Sequence, residues 1–441
     1  MRIPHALSAV ATGVLLSACA TAGAGETPAA IADQDVSDAY VYLLGRALVL
    51  RQQQLDLQEG MGWNQLLHRK PGAVDWPNPN LDVAYSEAWL ALDENSCTLL
   101  GVPKIQGRYY TVQVLNGWGE TLANVNERTY AAHPAGPFAF CLKDAHVRLP
   151  AATQRIDLPV RSARLLTRVE LGADPQQAER LQQAFTLKAT GSPRLPEVPQ
   201  TAPIAWPKLP GVELFDTASA ALAEPDLNPG MTEVQAKVRA IAAVVGDAQQ
   251  RQRIDALIHS RAFADIVKAS PSIGGGTVRN GWARPPATGT YGSNYLTRTL
   301  VDYGGIWANT RNEVNYFRGA LDADGVPLDG AKTYSLTFPK AQLPASQVHY
   351  FWSITATDSK TFHVLPNELN RFLLNNHSKL TYGADGSLTL YFGPQKPADA
   401  PEGNWLPTRP GLPYRLIFRY YGAQGAVADG SYFPPVLVKR S

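Results

Sequence analysis

Trp352, Asn367, Arg371, Asn404, Trp405 and Arg419, with Arg298 and Asn309 upstream, are side chains that could hold a ligand. An indole face covers apolar C–H groups, while amides and guanidinium forks fix hydroxyls or anions, so the set suits a sugar or a carboxylate. The same residue types also serve as core tryptophans and as arginines that satisfy carbonyls, and spacing leaves both readings open. A second group, Asn80, Asp82, Tyr85 and Glu87, opens a strand-like run, and Arg108 joins it as a candidate ligand contact. Two carboxylates are what glycoside cleavage needs. Asp82 and Glu87 are five apart, however, which in one regular strand puts them on opposite faces, and a turn role fits Asp82.

Standard catalytic signatures are missing. There is no Gly-x-Ser-x-Gly elbow and no His-Glu-x-x-His, and the eight histidines are scattered singly, so neither an α/β-hydrolase nor a zinc protease has its motif. A Ser-His-Asp set assembled only by folding stays open. Asp322-x-Asp324-Gly325 starts like a calcium loop but lacks the downstream glutamate; an Asp-Gly hairpin turn accounts for it, as for Asp385-Gly386. Gly274-Gly275-Gly276 is followed by no Lys-Ser or Lys-Thr, so it reads as a loop rather than a phosphate cradle. The motifs imply no metal and no cofactor.

Chemistry of another kind is written at the amino end. Arg2 is followed by an apolar run from Ala6 to Leu16 and then by Leu16-Ser17-Ala18-Cys19, which resembles the bacterial lipobox. The run is shorter than the roughly 20 residues that span a bilayer. The expectation is a signal peptide over 1–18, acylation of Cys19 and a flexible tether over 19–34. Ala20 after the cysteine goes with outer-membrane delivery. Acyl chains partition at roughly 0.8 kcal/mol per buried CH₂, so two or three hold a soluble body on the membrane. With Cys19 acylated, Cys97 and Cys141 remain, and in an oxidising compartment they are either a disulfide or two buried thiols. Lys and Arg number 40 against 38 Asp and Glu, for a net charge of +2. Nucleic-acid binding therefore lacks its electrostatic footprint.

The elements that must position these residues follow from periodicity. Residues 35–58 form a helix that is apolar almost all round early on, so more than one neighbour should bury it. From Asn80 to Leu171, short apolar runs alternate with turn residues in the manner of an antiparallel sandwich. A helix is expected over 175–187 and a proline-rich connector over 190–210. Two more helices should follow, 232–245 with Thr232 and Gln235 as a capping box, and 247–268. A glycine-rich loop covers 272–293, and strand patterns return from Asn315 to the end. The fold class expected is mainly β with α, two antiparallel, jelly-roll-like β-sandwich domains with a helical segment between them. The expected boundaries are 35–190, 191–290 and 291–441.

Two stretches carry a family likeness. Asn80-Leu-Asp-Val-Ala-Tyr-Ser-Glu-Ala-Trp89, Gly107-Arg-Tyr-Tyr-Thr-Val-Gln113 and Ala163-Arg-Leu-Leu-Thr-Arg168 resemble the bacterial domain-of-unknown-function family 1254. Trp307-Ala-Asn309, Leu328-Asp-Gly330, Phe351-Trp-Ser353, Asn404-Trp-Leu-Pro407 and Arg419-Tyr-Tyr421 resemble the companion family 1214. The resemblance implies a β-rich envelope protein with a helical insert and no established reaction.

Two functions compete at this point. One is an envelope module that binds a glycan or another envelope component, facing the periplasm or the cell exterior. The other is a hydrolase or lyase acting on an envelope or extracellular polymer. The anchor is tested first: metabolic labelling with palmitate should mark the native chain and be lost in Cys19→Ala, and equal labelling of both would remove the lipid assignment.

Overall fold

The computed structural model describes residues 31–72, 77–205 and 208–440. The expected signal peptide, Cys19 and the tether as far as residue 30 lie outside the described residues.

The first sandwich pairs two sheets. One runs β1 (Leu67–His68), β2 (Val83–Ala91), β8 (Ser162–Glu170), β4 (Tyr110–Leu115), β5 (Thr121–Val125). The other runs β7 (Gln154–Leu158), β6 (Gly136–Leu142), β3 (Cys97–Val102), β9 (Thr186–Ala189). Side chains alternate across a strand. Ala88, Leu90, Val112, Val114, Leu165 and Val169 therefore meet Leu100, Phe138 and Phe140 in a single core. Cys97 and Cys141 are register partners on β3 and β6, with Cα atoms 4.4 Å apart, and are joined as a disulfide.

The second sandwich repeats the plan. Its larger sheet runs β10 (Thr277–Arg279), β11 (Trp282–Arg284), β12 (Val314–Gly319), β18 (Tyr414–Tyr421), β14 (Trp352–Asp358), β15 (Leu373–Asn375). The smaller runs β17 (Trp405–Pro407), β16 (Leu388–Gly393), β13 (Tyr334–Phe338), β19 (Val438–Lys439). Phe317, Leu336, Trp352, Ile354, Leu390 and Phe418 fill the space between them. The Asp322 motif is a turn: its carboxylate accepts from the N–H groups of Asp324 (3.0 Å) and Val326 (2.9 Å), and Gly325 takes a positive φ.

The two sandwiches stack with their remaining faces together. All nine positions of β2 and all six of β4 are buried, whereas a sheet wetted on one side would expose every second residue. Across this layer Phe351 stacks on Tyr421 at 3.9 Å and Tyr109 meets Tyr421 edge-on at 5.1 Å. Asn80 donates to the Tyr421 hydroxyl at 2.6 Å, and Tyr109 Oη donates to Glu313 at 3.0 Å. Each buried aromatic adds about 1.5–3 kcal/mol of apolar transfer.

The helices form a separate layer. In α1 (Asp33–Gln58) every residue from Ala39 to Leu50 is buried. It packs against α3 (Ala218–Ala221), α4 (Met231–Val244), α5 (Ala248–Leu257) and α7 (Tyr295–Gly305), which explains its all-round apolar surface. Its outward polar residues bind the proline-rich connector, which lacks N–H groups at its prolines but keeps carbonyls: Arg51 donates to Ile204 O (3.0 Å) and Gln54 to Pro199 O (2.8 Å).

Several local expectations are corrected. The Thr232–Gln235 capping box is not formed; Gly230 takes the cap position of α4 in a left-handed conformation, and Gln235 bonds Tyr42 instead. The 247–268 helix is interrupted by a π-turn over Ile258–Ala262, after which α6 (Phe263–Ala269) resumes. The helix from Pro175 stops at Gln183 as α2, and Thr186–Ala189 becomes β9, because it completes an edge of the disulfide-bearing sheet. The glycine-rich stretch holds the β10–β11 hairpin and leads into α7, capped by Asn294.

The disulfide closes a loop spanning 44 residues. On the chain-entropy estimate, the Cys97→Ser/Cys141→Ser double variant loses about 4 kcal/mol of unfolding free energy in urea titration, and an unchanged midpoint would refute that role.

Candidate functional site

Between the stacked sandwiches, and against α7, lies a cavity of about 150 Å³. Its walls come from strand faces that sequence alternation marks as polar: Tyr85 on β2, Arg168 on β8, Tyr316 and Arg318 on β12, and Arg415 and Arg419 on β18. Leu300, Val301, Ile306, Trp307, Phe362 and Ile417 supply apolar wall. Four arginines line it, and no described lining residue is an Asp or Glu.

Each arginine is held by neutral groups. Arg168 donates to Gln113 Oε1 (2.6 Å), Asn309 Oδ1 (3.0 Å) and Trp307 O (2.7 Å), and its buried Nε has no acceptor. Arg419 donates to Thr355 Oγ1 (3.0 Å) and to the carbonyls of Asn78 (3.0 Å) and Pro79 (3.2 Å). Arg318 bonds the carbonyls of Ser270 and Pro271, and Arg415 that of Ser359. None of the four makes an ion pair among the described residues. Burial lowers Arg318 to about 10. Burial, reinforced by the charge of Arg318, lowers Arg415 to about 9, against the opposing pull of Asp358 and Tyr303. Both stay protonated at neutral pH. Burial raises the Tyr85 hydroxyl, with Arg168 pulling it back, so Tyr85 is a neutral phenol.

The backbone around the cavity is also unusual. Asn78 (φ 49°), Ile273 (φ 54°), Trp307 (φ 66°) and Phe362 (φ 64°) all line it in left-handed conformations. Such geometry costs roughly 1–3 kcal/mol at each residue and collects at functional sites.

Trp307 also forms the wall to a smaller void of about 40 Å³. There Arg164 bridges Asp56 (3.0 Å) and Glu87 (2.7 Å) beneath the rings of Trp89 and Trp307. This guanidinium, unlike the four above, is paired with carboxylates, although its Nε, like that of Arg168, has no acceptor among the described residues.

On another side of the same interface is an open cleft of about 600 Å³ bordered by Asp82, Glu170, Arg371 and His377. Glu170 accepts from Tyr109 N–H (3.0 Å) and meets His377 Nε2 at 2.9 Å. Asp82 Oδ1 accepts from Asn375 at 2.9 Å, while its buried Oδ2 has no partner.

The residues singled out from the sequence thus separate. Tyr85, Asn309 and Arg419 reach the arginine cavity, and Asp82 and Arg371 border the open cleft. The others do not join them in one pocket. Trp352 falls on the inward face of β14 with Ile354 and Ala356 and is core. Trp405 is buried, donating to Gly393 O at 3.0 Å. Asn367 braces its own loop through Arg371 N and O. Asn404 is saturated by Thr381 and Thr389. Arg298 is buried against Asp226 at 2.9 Å, and Arg108 bonds the carbonyl of Leu171 at 2.6 Å. Asp82 and Glu87 face different voids and do not pair. Sequence reading did not single out Arg168, Arg318 and Arg415 as site residues. The available signal was arginine at alternate positions of strands whose other face is apolar, as in Arg415-x-x-x-Arg419 against Leu416, Phe418 and Tyr420.

Burial raises the Asp82 carboxyl above its ordinary range. The folded chain then holds a proton that the unfolded chain has released, so stability falls as pH rises from the ordinary carboxyl range towards the raised value. Asp82→Asn should flatten that decline in thermal midpoint; an unchanged pH profile would show that another group sets it.

Residues 63–189 match the family model described as protein of unknown function DUF1254, and residues 313–425 match the one described as protein of unknown function DUF1214. No curated protein matches the chain. A crystal structure of a Vibrio parahaemolyticus protein is similar at TM-score 0.62 and 19% identity, covering 93% of this chain and 100% of that one, a likeness of fold. A Burkholderia cenocepacia crystal structure gives TM-score 0.43 at 13% identity, with coverage of 91% and 87%. The chain carries the DUF1254 and DUF1214 domains, in that order.

Proposed function

We propose that this protein is a membrane-tethered envelope lipoprotein that binds a small organic anion, such as an acidic sugar unit, in the cavity between its sandwiches. The observation that carries the reading is the set of four arginines with no carboxylate among the described lining residues. A guanidinium withdrawn from water without a counter-ion is costly, and an anionic ligand supplies the missing charge through short, charge-assisted hydrogen bonds. The apolar part of the wall suits a compact hydrocarbon or ring body, and a volume of about 150 Å³ admits a molecule of benzene's size. The lipobox-like Leu16–Cys19 and the Cys97–Cys141 bridge support an extracytoplasmic address.

The hydrolase or lyase reading draws on the Asp82–Glu170–His377 cleft. It is the weaker one, because the unpartnered oxygen of Asp82 is itself buried.

The test is calorimetric titration of the lipidated chain in detergent with benzoate and with the neutral benzamide. Benzoate should bind and benzamide should not. Arg168→Gln should weaken benzoate by about tenfold or more, the worth of a charged hydrogen bond. Equal binding of acid and amide, or an indifferent Arg168→Gln, would refute anion recognition.

A further inference from the structure

The cationic lining is divided in two. Arg415 and Arg419 stand on the same face of β18, four residues and so about 13 Å apart along the strand. Arg168 belongs with Arg419: it is the register partner of Tyr85, Arg419 is the register partner of Tyr316, and Tyr85 feels the charge of both arginines. Arg318 belongs with Arg415: the two repel one another, and Arg415 lies over the Phe362 ring at 4.2 Å. Ile417, between Arg415 and Arg419 and paired in register with Arg318, separates the ends with apolar surface.

Each end has unused donor capacity. At the first, Arg168 is 3% exposed and its Nε meets no acceptor. At the second, Arg318 and Arg415 both bond carbonyls through Nη2, with no carboxylate paired to either among the described residues. A single anionic group could answer only one end and would leave the other pair of guanidiniums without a carboxylate partner among the described residues.

Building on the anion-binding reading, we infer that the ligand carries two anionic groups joined by a short apolar spacer: a diacid, with one acid at Arg168–Arg419 and the other at Arg318–Arg415. The fork geometry of guanidinium favours planar, bidentate groups such as carboxylates at each end.

The experiment compares two acids of equal carbon count, valerate and glutarate, by calorimetric titration of the full lipidated chain in detergent. Glutarate should bind about tenfold or more tighter than valerate. Arg415→Gln and Arg318→Gln, which change half-buried residues at the cavity wall, should each cut glutarate affinity by about tenfold and valerate affinity by much less. Equal affinities for the two acids would overturn the diacid inference, as would equal losses for both acids in these variants. Binding of benzoate without any preference for glutarate would leave anion recognition standing and remove only the second anionic group. If benzoate, valerate and glutarate all fail to bind, both readings fall.

Discussion

A guanidinium taken out of water must recover several kilocalories per mole from partners, and the layer between the two sandwiches is organised by how each arginine does so. Arg164 recovers it from two carboxylates, Asp56 and Glu87, with two indole rings alongside. This ties α1 to the first sandwich and, through Trp307, to the segment leading into the second. Arg168, Arg318, Arg415 and Arg419 recover it only in part, from amides, a hydroxyl and carbonyls. Within one buried layer, the described residues thus give Arg164 carboxylate partners and the four cavity arginines neutral ones.

That layer also explains why two sandwiches act as one unit. Packed alone, each would present a polar sheet face to water. Stacked, those faces exchange hydrogen bonds such as Asn80 to Tyr421 and Tyr109 to Glu313, and bury the Phe351–Tyr421–Tyr109 aromatic group. The helical layer closes one side, with α7 bringing Leu300 and Val301 to the cavity wall. Left-handed Trp307 and Phe362 are held in place by this surrounding contact, which over-determines a conformation that neither residue would adopt in isolation.

The main elements were legible in the sequence because they obey local rules. Alternation located the longer strands, β2, β4, β8, β14 and β18, to within a few residues. The helix α1 announced its several neighbours by being apolar on every side. Short edge strands such as β9, β15 and β17 were not legible, since three or four residues pair only because a longer strand offers an edge. Helix α7 was hidden by the glycines before it, although Asn294 supplies an ordinary cap.

The sequence by itself determined the two β-rich halves, the helical layer's main segments, the family likeness of each half and the lipobox-like pattern ending at Cys19, because each depends on neighbours in the chain. It also held the choice between bonded and free Cys97 and Cys141 open, and the register of β3 on β6 decided it. Which polar residues share a cavity was decided only by tertiary structure. Alternation tells that Arg168, Arg415 and Arg419 leave the apolar core of their own sheet, but not that a second sheet waits on the other side. Burial of that face places these arginines around a cavity with no Asp or Glu among its described lining residues, and burial is a property of the stacked whole.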